Sequence, residues 1–160
     1  MAGKVVINLL EKKHVGISAD VFDALGNKII TELYPDLLKA EDVEVSLVFV
    51  DDQAMKSLNK AYRNKAESTD VLSFSYIKDF KKAVSCGELG DIIISADALK
   101  SQAKQYKNTI EDEAKVLFVH GFLHLIGYDH TTEKQKNVMN KIESRLLVDK
   151  SGLVQRSQLE

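Results

Sequence analysis

Three of the chain's four histidines, His120, His124 and His130, lie in one short segment, with Gly127 between the last two. Residues four apart project from the same face of a helix, so His120 and His124 can direct two imidazoles at one point. Gly127 can adopt the left-handed conformation that ends a helix, and the chain can then turn back and bring His130 to that point. Three neutral imidazoles with an open fourth position are typical of a catalytic zinc ion, so this spacing predicts a metal site.

The same spacing matches the extended zinc-protease signature H-E-x-x-H-x-x-G-x-x-H, with one departure. Gly121 stands where those proteases carry the glutamate that acts as general base. The sequence therefore keeps the metal ligands and lacks the base of a peptidase. Imidazoles also bind copper, nickel, cobalt and iron, and the protease-like spacing favours zinc among them. Asp129 either orients a histidine ring or serves as a turn residue, and we favour the turn.

The composition is that of one globular domain. The chain has 160 residues, of which 44% are hydrophobic and 29% charged, and we expect residues 1–150 to form the domain and 151–160 a loose tail. No apolar run approaches the ~18–20 residues of a membrane span, so we expect a cytoplasmic protein that does not contact membranes. The net charge of −2 argues against a general polyanion binder. The single cysteine, Cys86, is interpreted as a bystander thiol.

Apolar patterns predict strands and helices that alternate around one sheet. We expect Ala54, Leu58 and Ala61 or Tyr62 to face inward on the second helix. On the last helix we expect one face to carry Val138, Ile142 and Leu146. Asn108 and Thr109 can cap the helix that carries the histidines, with Asn108 in a capping box with Glu111. The predicted strands cover 5–10, 45–50, 71–76 and the surroundings of 92–94, and the predicted helices follow Ser18, Asp51 or Asp52, Ser95 and Asn108, with a last helix through Leu146. The elements indicate a mixed, mostly parallel sheet with helices packed on it.

Arg63, one of only three arginines, lies at the predicted end of the second helix. A guanidinium group can contact two phosphate oxygens at once, and Lys56, Lys60 and Lys65 could extend a basic surface around it. The alternative is an ordinary solvated helix end, where cations are favoured by the helix dipole. From this segment alone we favour the solvated helix end.

Taken together, these segments resemble the YbeY family of bacterial rRNA-maturation endoribonucleases. The family motif H-G-x-L-H-L-x-G-Y-D-H is matched from His120 to His130 at every fixed position, and the resemblance extends from about Ile7 to Leu147. Further family blocks occur in the same order at Leu58-Asn59, Tyr62-Arg63, 69–74 and 89–92. The chain departs from the family at 65–68, where Lys-Ala-Glu-Ser loses an acid and a proline, and at Ser75, where a proline is common.

The resemblance implies a zincin-like α+β fold, a single domain with a four-stranded mixed sheet that holds one antiparallel strand. It implies that His120, His124 and His130 bind one Zn²⁺ per chain and that Arg63 is functionally required, so Arg63 and His120 are the candidate catalytic residues. The implied function is that of a zinc-dependent, single-strand-specific endoribonuclease in 16S rRNA 3′-end maturation and ribosome quality control. The implied partners are single-stranded rRNA, the ribosome or its small-subunit precursor, and a ribosome-associated protein that presents the substrate.

Two other functions remain open, and so does the identity of the group that accepts the proton in hydrolysis. The chain could be a metal-dependent hydrolase of another substrate, or a non-enzymatic ribosome-assembly factor whose zinc is structural. A structural site needs a fourth protein ligand, for which Cys86 is the available candidate. With no glutamate at Gly121, the proton acceptor could be a zinc-bound hydroxide, or the substrate's 2′-hydroxyl could serve instead as the nucleophile. His120 could act as base only by leaving the metal.

Overall fold

The computed structural model describes residues 3–39, 41–65, 67–77, 87–149 and 152–153. Within them, strands and helices follow one another as the sequence predicts, with a short 3₁₀ turn at Pro35–Leu38. The strands are β1 (Val5–Glu11), β2 (Val43–Val50), β3 (Val71–Ser75), β4 (Glu88–Ser95), β5 (Val148–Asp149) and β6 (Gly152–Leu153). The helices are α1 (Ala19–Leu33), α2 (Asp52–Arg63), α3 (Ala96–Gln105), α4 (Ile110–Leu125) and α5 (Glu133–Leu146).

The main sheet has four strands in the order β1-β2-β4-β3. β1, β2 and β4 run parallel, so that Leu47 pairs with Leu9 on one side and Ile92 on the other. β3 pairs antiparallel with β4 and forms an edge of the sheet. The predicted α+β fold with one antiparallel strand is therefore confirmed. The edge position of β3 matters for the site, because side chains from both faces of the sheet can meet around an edge.

The two faces of the sheet pack on different helices. Phe49 of β2 contacts Phe22 of α1, and Phe22 contacts Phe118 of α4, with ring centroids 6.0 and 5.1 Å apart. This face forms the main core, in which α4 is buried along most of its length. The opposite face carries a smaller cluster built on Met55 of α2 and Leu72 of β3. α4 and α2 consequently lie on opposite sides of β3.

Side-chain caps begin the helices largely as predicted. Ser18, Asp51, Ser95 and Thr109 each accept a hydrogen bond from a backbone N–H in the first turn of the helix that follows. The predicted capping box of Asn108 is wrong, because Thr109 occupies the cap. The Asn108 side chain instead donates to Glu113, 3.1 Å away. Each cap satisfies an N–H group that the helix itself leaves without a partner.

The predicted inward faces of α2 and α5 are confirmed except at one end of each. On α2, Ala54 and Leu58 pack on the small cluster as predicted, whereas Tyr62 is 67% exposed. On α5, Ile142 and Leu146 are buried as predicted, whereas Val138 is 42% exposed. Each buried face also includes neighbouring residues that were not predicted, namely Met55 and Asn59 on α2 and Met139 on α5.

The end of the domain is a short antiparallel pair, β5 with β6. No sequence pattern predicted this pair. Most of the predicted loose tail and Cys86 lie outside the described residues. In the described part of the chain, no helix combines the length and the apolar character needed to cross a membrane.

Candidate metal centre

The three histidines converge at the C-terminal end of α4. His120 and His124 lie one turn apart, and their Nε2 atoms are 3.2 Å from each other. Gly127 has φ +102° and its N–H donates to the carbonyl of His124, so the helix ends as the sequence predicts. The chain then brings His130 back, and one ring nitrogen from each histidine lies within 4.8 Å of the other two.

This arrangement fits a tetrahedral metal ion. Two nitrogens bound to one zinc at ~2.0–2.1 Å in tetrahedral geometry would be about 3.4 Å apart. The 3.2 Å between the Nε2 atoms of His120 and His124 is close to that value. The His130 ring lies 4.7 Å from the His124 ring and 5.3 Å from the His120 ring, measured between centroids. The three side chains could hold a metal ion with only small rotations.

The buried carboxylate of Glu143, which no sequence pattern predicted, lies beside the ring of His120. Glu143 of α5 is 1% exposed, and its Oε1 lies 3.3 Å from Nδ1 of His120. Its Oε2 has no hydrogen-bond partner among the described residues. A carboxylate on this side favours the tautomer in which Nδ1 carries the proton and Nε2 keeps its lone pair for a metal. The sequence feature that could have indicated Glu143 is its position directly after Ile142, which is buried.

Burial keeps His124 neutral. Loss of solvent, followed by repulsion from His120 and His130, lowers the pKa of His124 from 6.5 to about 4. A neutral imidazole has a lone pair available to a metal at physiological pH. Asp129 acts as the turn residue we favoured: its Oδ1 accepts the backbone N–H of His130 at 2.7 Å and lies 3.9 Å from that ring's Nδ1.

Arg63 lines the same cleft as the histidines. The cleft has a volume of about 870 Å³ and is also bordered by Ser73 of β3 and Tyr106 after α3. α2 ends at Arg63 because Asn64 adopts the left-handed conformation, with φ +55°. The side chain of Arg63 is exposed and makes no ion pair with the described residues. Arg63 and the three histidines, which come from separate segments of the sequence, therefore line the same cleft.

The loop between Arg63 and Thr69 is tied to α2 despite its departures from the family pattern. The side-chain amide of Asn59 donates to the carbonyl of Glu67 at 2.6 Å. The hydroxyl of Ser68 donates to the carboxylate of Asp52. These two bonds hold the loop where the family commonly has a proline. Ala66, the other departure, lies outside the described residues.

The glycine that replaces the protease glutamate is required by packing. The carbonyl of Gly121 accepts a hydrogen bond from the hydroxyl of Ser73 at 2.6 Å. A β-carbon at this position would lie 2.9 Å from Cγ2 of Val71 and 3.2 Å from Oγ of Ser73. Helix α4 thus approaches β3 too closely to leave room for a glutamate side chain, and the peptidase base is excluded by the fold as well as by the sequence.

Comparison with known proteins identifies the family of the chain. The family model for endoribonuclease YbeY matches residues 7–150. The chain belongs to the YbeY family. An endoribonuclease YbeY of Heliobacterium modesticaldum is 42% identical over 115 residues, which cover 67% of this chain and 69% of that protein. The YbeY of Caldanaerobacter subterraneus subsp. tengcongensis is 35% identical over 149 residues, covering 87% and 94% of the two chains.

The fold also matches a solved structure. The solution structure of TM1509 from Thermotoga maritima superposes with a TM-score of 0.54 at 24% sequence identity, and the match covers 88% of both chains. At this identity the likeness concerns the fold. It supports the placement of the sheet and helices that form the YbeY cleft.

Proposed function

We propose that this protein is a zinc-dependent endoribonuclease that cleaves single-stranded rRNA during ribosome maturation. Membership of the YbeY endoribonuclease family supports a hydrolase that acts on RNA phosphodiester bonds. The observation that carries the proposal is the shared cleft, in which Arg63 faces His120, His124 and His130. A metal site beside an arginine without an ion pair among the described residues is suited to a phosphodiester, which carries one negative charge at the reacting centre.

Each side chain has a distinct part in this proposal. The three histidines hold the metal, and Glu143 holds His120 in the tautomer that presents Nε2. Arg63 contacts the non-bridging phosphate oxygens in pairs and stabilises the charge that develops on them. When bound, a zinc ion supplies Lewis-acid polarisation of a phosphoryl oxygen and promotes the ionisation of a water molecule.

His120 is proposed to contribute to catalysis as a ligand rather than as a free base. Its Nδ1 faces Glu143 at 3.3 Å and its Nε2 faces His124 at 3.2 Å, so both ring nitrogens have partners. The hydroxyl of Ser73 is also engaged, because it donates to the carbonyl of Gly121. The nucleophile is then either a water molecule or the substrate's own 2′-hydroxyl, and its proton passes to the solvent.

We also propose that the ribosome presents the rRNA end to the cleft. A chain with a net charge of −2 gains little from general attraction to RNA. Holding the rRNA end beside the cleft on a small-subunit precursor, through a ribosomal protein, would raise its effective concentration without new contacts to the RNA. We expect weak, unselective cleavage of naked RNA and stronger cleavage of precursor particles.

The assembly-factor alternative requires a closed metal site. Among the described residues the cluster offers three ligands, whereas structural zinc sites normally have four from the protein. Cys86, the candidate fourth ligand, lies outside those residues. Metal content and spectroscopy of a Cys86→Ser variant test this point, since unchanged zinc affinity favours the open, catalytic site.

Cleavage of a single-stranded rRNA-like oligonucleotide by the zinc-loaded protein tests the proposal. Arg63→Ala should retain metal and fold but lose cleavage, and His124→Ala should lose both metal and cleavage. Lys13→Ala is the control, because it removes an exposed charge near the end of β1, at the opposite edge of the sheet. Equal cleavage in all preparations would indicate a contaminating nuclease and refute the proposed roles. Absence of cleavage on both naked RNA and precursor particles would favour the assembly factor.

A further inference from the structure

The apolar face of α2 continues to the last turn of the helix, above the edge strand β3. Met55 is fully buried, Leu58 one turn later is partly buried, and Tyr62 at the end of the same stripe is 67% exposed. These positions share one face of the helix. Because β3 is the edge strand, the sheet ends beneath the last turn of α2 and leaves Tyr62 with little to pack against.

Tyr62 is nevertheless held in place on one side. Its ring packs on Phe74 of β3, with centroids 4.9 Å apart and an angle of 55° between the ring planes. Tilted aromatic contacts of this kind orient a ring beyond what burial alone achieves. The exposure of Tyr62 means that much of the ring surface turned away from Phe74 meets solvent. The pair therefore presents an oriented aromatic surface.

Basic residues flank Tyr62 along the chain, at the end of α2 that reaches the cleft. Arg63, the next residue along the chain, lines the cleft with the histidines. Lys60 and Lys65 are exposed and make no ion pair with the described residues. One turn earlier, Lys56 is paired with Asp52 at 3.8 Å, so the pairing of charges ends as the helix approaches the cleft.

We propose that the Tyr62–Phe74 pair is a stacking subsite for a nucleobase of single-stranded RNA, adjacent to the nucleotide whose phosphate Arg63 contacts. This inference rests on the proposed function and adds a site to it. Aromatic rings interleaved with cations are the surface on which proteins bind unpaired strands, because every base has a π-face and every linkage a negative charge. A base in a duplex is already stacked, so this subsite would favour single strands.

The competing explanation is that Tyr62 only covers the small apolar cluster around Met55 and Leu72. In that case the ring contributes to folding, and the presence or absence of bases on a bound strand makes no difference to it. Binding of a protein partner would likewise be independent of bases. An abasic strand, which keeps the charge and the sugar-phosphate backbone, separates these explanations from stacking.

Fluorescence tests the subsite without any cleavage. The chain contains no tryptophan, so Tyr62→Trp introduces the only one. The zinc-loaded variant is titrated with a 2′-O-methyl phosphorothioate single strand, which resists cleavage, and with an abasic strand of equal length. Leu10→Trp is the matched control, because Leu10 is 51% exposed on β1 at the opposite edge of the sheet. We expect quenching only for Tyr62→Trp with the strand that carries bases. Equal quenching by the abasic strand, or none by either, would overturn the proposal.

Cleavage kinetics provide an independent readout. Stacking contributes roughly 1–3 kcal/mol per base, so Tyr62→Ala should lower kcat/KM by about 5- to 150-fold, mainly through KM. Tyr62→Phe should restore it, and a substrate abasic at the stacked nucleotide should show no difference between Tyr62→Ala and the native protein. Unchanged kcat/KM in Tyr62→Ala would refute the subsite while leaving the proposed nuclease intact. Base-dependent quenching without cleavage would support the subsite and refute the nuclease.

Discussion

Replacing Glu143 by glutamine removes the buried carboxylate that faces His120 and keeps the volume of the side chain. Both partners are shielded from solvent, since the side chains of His120 and Glu143 are 16% and 1% exposed. The amide oxygen of glutamine can still accept a hydrogen bond from Nδ1, but it cannot carry negative charge. Charge-assisted hydrogen bonds are roughly twice as strong as neutral ones, so the variant should weaken the support of His120 without abolishing it.

The expected loss is in metal affinity. Changes to a group that supports a metal-bound histidine cost about 10- to 100-fold in affinity, or about 1.4–2.8 kcal/mol. The stability of the metal-free protein should change in the other direction or stay level. Oε2 of Glu143 has no partner among the described residues, and removing a buried carboxylate of this kind relieves a desolvation cost. If zinc affinity falls while the stability of the metal-free protein does not, the role of Glu143 is to position His120 rather than to maintain the fold.

Glu113→Gln is the matched control. Glu113 is 0% exposed and accepts a hydrogen bond from the Asn108 side chain, and it lies on the same helix as His120, about 10 Å away along the axis. Zinc dissociation constants are measured by competition with a chromophoric chelator, and urea unfolding gives the stability of each metal-free variant. Nitrogen NMR shifts report the tautomer of His120 directly. An affinity for zinc within twofold of the native value in Glu143→Gln, or an equal loss in both variants, would refute the reasoning.

Further predictions concern packing and protonation. Gly121→Ala places a β-carbon 2.9 Å from Cγ2 of Val71. This crowding should cost about 1–3 kcal/mol, whereas the higher helix propensity of alanine should contribute about 1 kcal/mol. We therefore expect the free energy of unfolding in urea to fall by up to about 2 kcal/mol. A midpoint clearly above that of the native protein would contradict this close approach. Metal-free protein should lose stability as pH falls from about 6.5 to 4. The pKa of His124 is lower in the folded protein than in the unfolded chain, so over this range the proton binds preferentially to the unfolded chain. His124→Gln should flatten that slope, and His14→Gln, at an exposed position, should not. Phe118→Ala should cost about 3–5 kcal/mol through a cavity in the aromatic core, and a loss below 1 kcal/mol would mean that the core repacks.

The sequence was most informative where the geometry is local. The rise and period of a helix fix the relation between His120 and His124, and the left-handed preference of glycine allows the turn at Gly127. No distant contact is needed to bring these groups together, which is why the histidine spacing alone predicted the cluster. The same reasoning placed the caps at Ser18 and Thr109, since a cap bonds within its own first turn.

Long-range packing determined the rest of the site. Arg63 and the histidines come from helices on opposite faces of the sheet, and they meet because β3 is its edge strand. Glu143 faces His120 because α5 packs on α4, and Tyr62 contacts Phe74 because the end of α2 lies over β3. Strand order and helix docking arise from the summed burial of many apolar side chains, and the periodicity of one segment carries no record of which other segment covers it.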